Sequence, residues 1–83
     1  MGEREHEVRT HSGVVVFRKT YWFFGQRTGL RFDCPHCDEK GLKHGDLANH
    51  IEKRHNTTWA EADAQIRQAE EEWRQVNPGI PEE

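Results

Sequence analysis

A small α+β domain, with strands first and helices after, is the fold class this 83-residue sequence predicts. Three observations carry that reading. The first third of the chain holds two β-branched and aromatic runs, Val14 to Phe17 and Tyr21 to Phe24, set off by Gly13, Arg18-Lys19 and Gly25. The middle holds two cysteines and two histidines at the spacing C-x2-C-x12-H-x4-H, formed by Cys34, Cys37, His50 and His55. Near the end, Trp59, Ala62, Ile66, Ala69, Trp73 and Val76 recur at steps of three and four, the period of a helix with one apolar seam.

Residues 1–12, MGEREHEVRTHS, are polar and without a period, which predicts a flexible tail in which His6 and His11 are solvated. A single domain then spans residues 13–77: strands over 13–33, a central unit over 30–56 and a C-terminal helix over 58–76, followed by a second flexible tail at 78–83. The third strand, Leu30-Arg31-Phe32, follows a glycine-bounded turn and runs into Cys34, so Phe23 or Phe24 can pair across it. Alternation cannot bury Phe17, Tyr21, Trp22, Phe23 and Phe24 on one face. Core formation is the plain reading of these rings; base stacking among basic residues is the functional one.

The central spacing suits a metal for reasons of reach. A two-residue knuckle lets both thiolates face one ion, and twelve residues bring a helix back to supply both imidazoles. Four protein donors close a tetrahedral site with no open position, which predicts one structural zinc ion held by Cys34, Cys37, His50 and His55, and no catalysis. A core of this size needs such a staple. Binding worth on the order of 10 kcal/mol makes metal loading and folding a single event.

The stretch resembles a two-cysteine, two-histidine zinc finger over about residues 30–56. Phe32 stands two before Cys34 and Leu47 three before His50, as the core aromatic and leucine do in that family; Gly41 replaces the second aromatic, so Leu42 is expected to fill its space. The resemblance implies a ββα finger, here with an N-terminal strand extension and a C-terminal amphipathic helix. It also implies duplex DNA binding, in the role of a transcriptional regulator, with Lys43, Asp46 and Asn49 at the base-contacting positions of a helix over Asp46 to His55. Cys34-Pro35-His36-Cys37 also resembles the active motif of thioredoxin-like oxidoreductases. Gly41 breaks the helix such a motif requires, and the histidine pair would go unexplained, so an enzyme is not expected. His36 is then an outward-facing knuckle residue and His44 a surface or contact residue.

Net charge is −3, unevenly placed: residues 1–45 carry eight Lys or Arg against six acids, and residues 46–83 four against nine. Between Val8 and Phe32 stand Arg9, Arg18, Lys19, Arg27 and Arg31 with no acid. Arg18, Lys19, Arg27 and Arg31 are therefore the candidate phosphate contacts. The acidic second half favours the alternative, a protein-interaction module using the aromatic sheet or the C-terminal helix, through a partner or a homodimer. Thr58 and Glu61 form a capping box that opens this helix, whose seam is expected to pack on the chain's own sheet. Two cysteines, no membrane-length apolar run and no hydrophobic core in MGEREHEV predict an intracellular location, without membrane or small-molecule partners.

Overall fold

A computed structural model describes residues 2–21 and 29–80. Trp22, Phe23, Phe24, Arg27 and the end at 81–83 lie outside the described residues. The chain forms strands β1 (Gly2–Arg9), β2 (Val15–Tyr21) and β3 (Gly29–Asp33), then helices α1 (His44–Arg54) and α2 (Trp59–Val76). The strands make one antiparallel sheet in the order β1-β2-β3. The predicted α+β class, with a finger-like ββα layout extended at both ends, is the observed one.

The expected N-terminal tail is instead β1. Its polar composition is that of an edge strand, where charges are tolerated and one face meets solvent. Its pairing is specific: Glu5 stands opposite Arg18, with carboxylate and guanidinium 2.9 Å apart, and Val8 opposite Val16. The register shifts between Glu5 and Val8, where His6 takes a left-handed φ of 52°. That bulge turns the His6 carbonyl out of the ladder to accept the Trp73 indole N–H at 2.8 Å.

The predicted break at Arg18-Lys19 is also absent, and β2 runs through it. Alternation sends the two basic side chains to opposite faces of the sheet, where Arg18 meets Glu5, so the pair ends nothing. The β1–β2 turn is held by Thr10, whose N–H and hydroxyl both donate to the Val14 carbonyl, at 3.0 and 2.6 Å. Gly13 is required there. Its φ is +94°, and a Cβ would lie 3.2 Å from the Pro35 side chain of the cysteine knuckle.

Phe32 exchanges two backbone hydrogen bonds with Leu42, each 2.8 Å, and Leu42 packs on the core as expected. Helix α1 begins at His44, two residues before the expected start, because Lys43 is extended and its carbonyl accepts the Leu47 N–H. Thr58 caps α2 by accepting from the Glu61 N–H at 3.2 Å.

Val14 from the β1–β2 turn, Val16 and Phe32 from the sheet, Leu47, Ala48 and Ile51 from α1, and Ala62, Ile66, Ala69 and Trp73 from α2 form one buried cluster. Helix α2 lies against α1 as well as β2, so its seam is covered by a helix and not by the sheet alone. The small Ala48, Ala62 and Ala69 at the contact let the elements approach closely. The seam is shorter than its periodicity suggests: Trp59 is 40% exposed and Val76 62%, because the 18-residue helix outruns the surface beneath it. Phe17 faces the other side of the sheet and is buried under the Arg4 guanidinium, 3.7 Å from the ring centre.

Candidate metal centre

Each of the four predicted donors is delivered by a local device. Cys34 follows directly on β3, and its N–H donates to the Glu39 carbonyl at 2.9 Å, which closes the knuckle loop. The His36 N–H points back to Cys34 Sγ at 3.5 Å. Asp33, buried beside Cys34, accepts from the Gly41 N–H at 3.0 Å and from both terminal nitrogens of Arg4, at 2.6 and 3.4 Å. One carboxylate thus ties β1, β3 and the loop that returns to α1.

His50 lies inside α1, and His55 is its C-terminal cap. A five-residue step in a continuing helix would place the two rings about 140° apart around the axis. His55 avoids this by leaving helical geometry, at φ −124° and ψ 21°, while its N–H still donates to the Ile51 carbonyl. Asn56, at φ 52°, then turns the chain toward α2.

The ligand atoms of Cys34, Cys37, His50 and His55 all lie within 4.8 Å of one another. Cys34 Sγ is 3.5 Å from His55 Nε2, and Cys37 Sγ is 3.1 Å from His50 Nε2. Zinc–sulfur bonds of about 2.3 Å and zinc–nitrogen bonds of about 2.0 Å set tetrahedrally give sulfur–nitrogen edges of about 3.5 Å. The two sulfur–nitrogen approaches are close to that edge, and the four donors are of the kind that could hold a tetrahedral ion. Both cysteines are free thiols. Cys34 is buried while Cys37 is exposed, and the centre opens to solvent beside Asp38, Glu39 and Arg54.

Burial pushes the Cys34 thiol above its ordinary range, and Cys37 adds to the shift. His55 is held below its usual value, first by loss of hydration and then by the positive potential of His36, His50 and Arg54. The His36 ring stands 4.9 Å from that of His55. An uncharged imidazole is the form that ligates, so His55 is suited to the role.

The candidate nucleic-acid residues fall into separate groups. Lys43, Asp46 and Asn49 form an exposed strip along α1 at steps of three. Arg18 pairs with Glu5 on the helix-facing side of the sheet. Arg31 donates to its own Leu30 carbonyl at 2.9 Å and shares the opposite face with Phe17 and Lys19. Arg27 lies outside the described residues. Lys43, Asp46 and Asn49 thus belong to α1 and its cap, and Arg18 to the sheet.

Two polar clusters have little signal in the sequence: Asp33 with Arg4, and His44 with Asp63 and Glu70. The second had a faint signal in two acids seven apart on α2, but its histidine comes from another helix.

Fold and site define a small α+β module with a donor cluster of two cysteines and two histidines. Comparison with known protein families, curated proteins and solved structures finds no match for this chain. The case for a metal accordingly rests on the donor set itself.

Proposed function

We propose that this protein is a zinc-finger-type nucleic-acid-binding module, in which one structural zinc on Cys34, Cys37, His50 and His55 sets α1 against duplex DNA. The observation that carries the reading is which flank of α1 the extra helix occupies. Helix α2 packs where Ala48 and Ile51 are buried and where His44 meets Asp63 and Glu70. The strip of Lys43, Asp46 and Asn49 stays exposed. Lys43 can donate to guanine, Asn49 can pair with adenine and Asp46 can accept from cytosine. A single finger spans only about three base pairs, so phosphate contacts must supply much of the affinity. Lys19 and Arg31, on the outer sheet face, are assigned to that role; Arg27, outside the described residues, is assigned to it from the sequence alone.

The test is a mobility-shift titration of the zinc-loaded chain on duplex DNA. Binding that weakens steeply from low to physiological salt, and that Lys43→Ala weakens without lowering the melting temperature, supports the proposal. Absence of binding at low salt would remove it.

A second reading, a protein-interaction module, is favoured by α2. Between Trp59 and Val76 it carries five carboxylates against two arginines, and both apolar end residues are exposed. Its central seam is already covered, so a partner or second copy would dock on the acidic outer face and the helix ends. Sedimentation of the zinc-loaded chain separates a homodimer from a monomer that awaits a different partner.

A further inference from the structure

His44, at the first position of α1, has carboxylate oxygens against both ring nitrogens. Nε2 lies 2.5 Å from Asp63 Oδ1, and Nδ1 lies 2.7 Å from Glu70 Oε1. A neutral imidazole has one N–H and one lone pair, so either tautomer would aim its lone pair at a carboxylate. Only the imidazolium donates to both.

Asp63 and Glu70 stand two helical turns apart on one face of α2, with the ring between them. Their second oxygens are already engaged, Asp63 Oδ2 by Arg67 Nε at 2.7 Å and Glu70 Oε2 by Arg74 at 3.3 Å. Arg74 also holds Glu71 at 3.2 Å. Among the described ion pairs, Asp63, Glu70 and Glu71 stand against Arg67 and Arg74, and a positive charge on His44 balances the set. On the β3 side the ring meets the uncharged Phe32, edge-on at 6.0 Å. Along its own helix the neighbouring charged groups, Lys43 and Asp46, are exposed.

We propose that His44 is a protonation-dependent latch between the finger and α2: as the imidazolium it clamps α2 to the start of α1, and its deprotonation loosens that docking. All three side chains are more than two-thirds buried, at 29%, 16% and 18% exposure, where charge-assisted hydrogen bonds are screened less than on an open surface. Asp63 is held below its ordinary carboxylate range, by the Arg67 hydrogen bond first and the His44 hydrogen bond second, which agrees with a cation on both sides of it. The far half of α2 has its own anchors, Trp73 to the His6 carbonyl and Glu72 to the His11 N–H. The part that responds is therefore the stretch up to Glu70, and its release bares Ala48 and Ile51 of α1 together with Ala62 and Ile66. None of the latch groups is a metal donor, so the latch operates on a fully loaded finger and is independent of the nucleic-acid reading.

The experiment uses the full zinc-loaded chain, with nitrogen-15 NMR of the imidazole rings and hydrogen exchange of α2 amides between about pH 5 and pH 8, the range in which histidine side chains change charge. Near the lower pH both ring nitrogens of His44 should show imidazolium shifts. Raising the pH should deprotonate one nitrogen. Exchange of the amides from Ala62 to Ala69, corrected for base catalysis, should then quicken by about tenfold, the scale of one charge-assisted hydrogen bond. In His44→Gln the corrected rates should be the same at both pH values. A neutral His44 ring at the lower pH overturns the latch, as does an equal pH response in the variant and the unaltered chain. If His44→Gln fails to fold, Asp63→Asn with Glu70→Gln serves as the control with the same expected loss of pH response, and the ring shifts of the unaltered protein decide alone.

Discussion

Trp73 is the largest fully buried side chain among the described residues, at 0% exposure, and its indole N–H is satisfied at 2.8 Å by the His6 carbonyl on the β1 bulge. Trp73→Ala removes roughly 200 Å² of buried surface. At about 25 cal/mol per Å² that is worth about 5 kcal/mol as an upper figure, and core truncations of this kind cost about 3–5 kcal/mol. A domain of this length has a total stability of roughly 4–12 kcal/mol, so the variant should be close to unfolded or substantially so. Trp73→Phe keeps most of the ring but strands the His6 carbonyl, and should cost about 1–3 kcal/mol. Urea unfolding of zinc-saturated protein, followed by far-ultraviolet circular dichroism, measures both. A Trp73→Ala variant within about 1 kcal/mol of the unaltered chain would refute the packing of α2 into the domain. A Phe variant as damaged as the Ala variant would refute the assignment of most of this energy to burial.

The remaining expectations concern the turn, the knuckle and the donors. Gly13→Ala forces a side chain into a left-handed φ against Pro35 and should cost about 1–3 kcal/mol, read as a fall in thermal midpoint of the zinc-loaded protein. Because burial raises the Cys34 thiol, zinc must displace its proton at neutral pH. The bound state thus holds fewer protons, and apparent zinc affinity should rise with pH; calorimetry in buffers of different ionisation enthalpy reads the release directly. His55, held below its usual value, should contribute less to that release than an ordinary histidine. Asp33→Ala removes three hydrogen bonds, leaves Arg4 without its main partner and should lower stability by about 2–3 kcal/mol, checked by the same urea experiment.

What the sequence displayed and what it hid divide along a physical line. The donors, Leu42, Leu47 and the Thr58 cap belong to local devices whose partners are near in sequence, so spacing and the finger resemblance were enough. Strand β1 was hidden because GEREHEVR has no apolar alternation. Its order comes from distant groups: the edge of β2, the Asp33 carboxylate and the Trp73 indole. Arg18-Lys19 read as a boundary since nothing local announces Glu5 as a partner. The helix seam was legible in its middle and misleading at its ends, because periodicity reports which residues share a face and not how far the opposing surface extends. The His44 cluster joins two helices that only the tertiary fold brings together.

The central claim is that one metal ion on Cys34, Cys37, His50 and His55 holds this fold together. Zinc content of the purified chain, combined with circular dichroism and a thermal melt before and after chelation, tests it most directly. The account predicts one zinc per chain and loss of the cooperative melt on chelation, with Cys34→Ser reproducing that loss at saturating zinc. A chelated protein whose spectrum and melt are unchanged would contradict it.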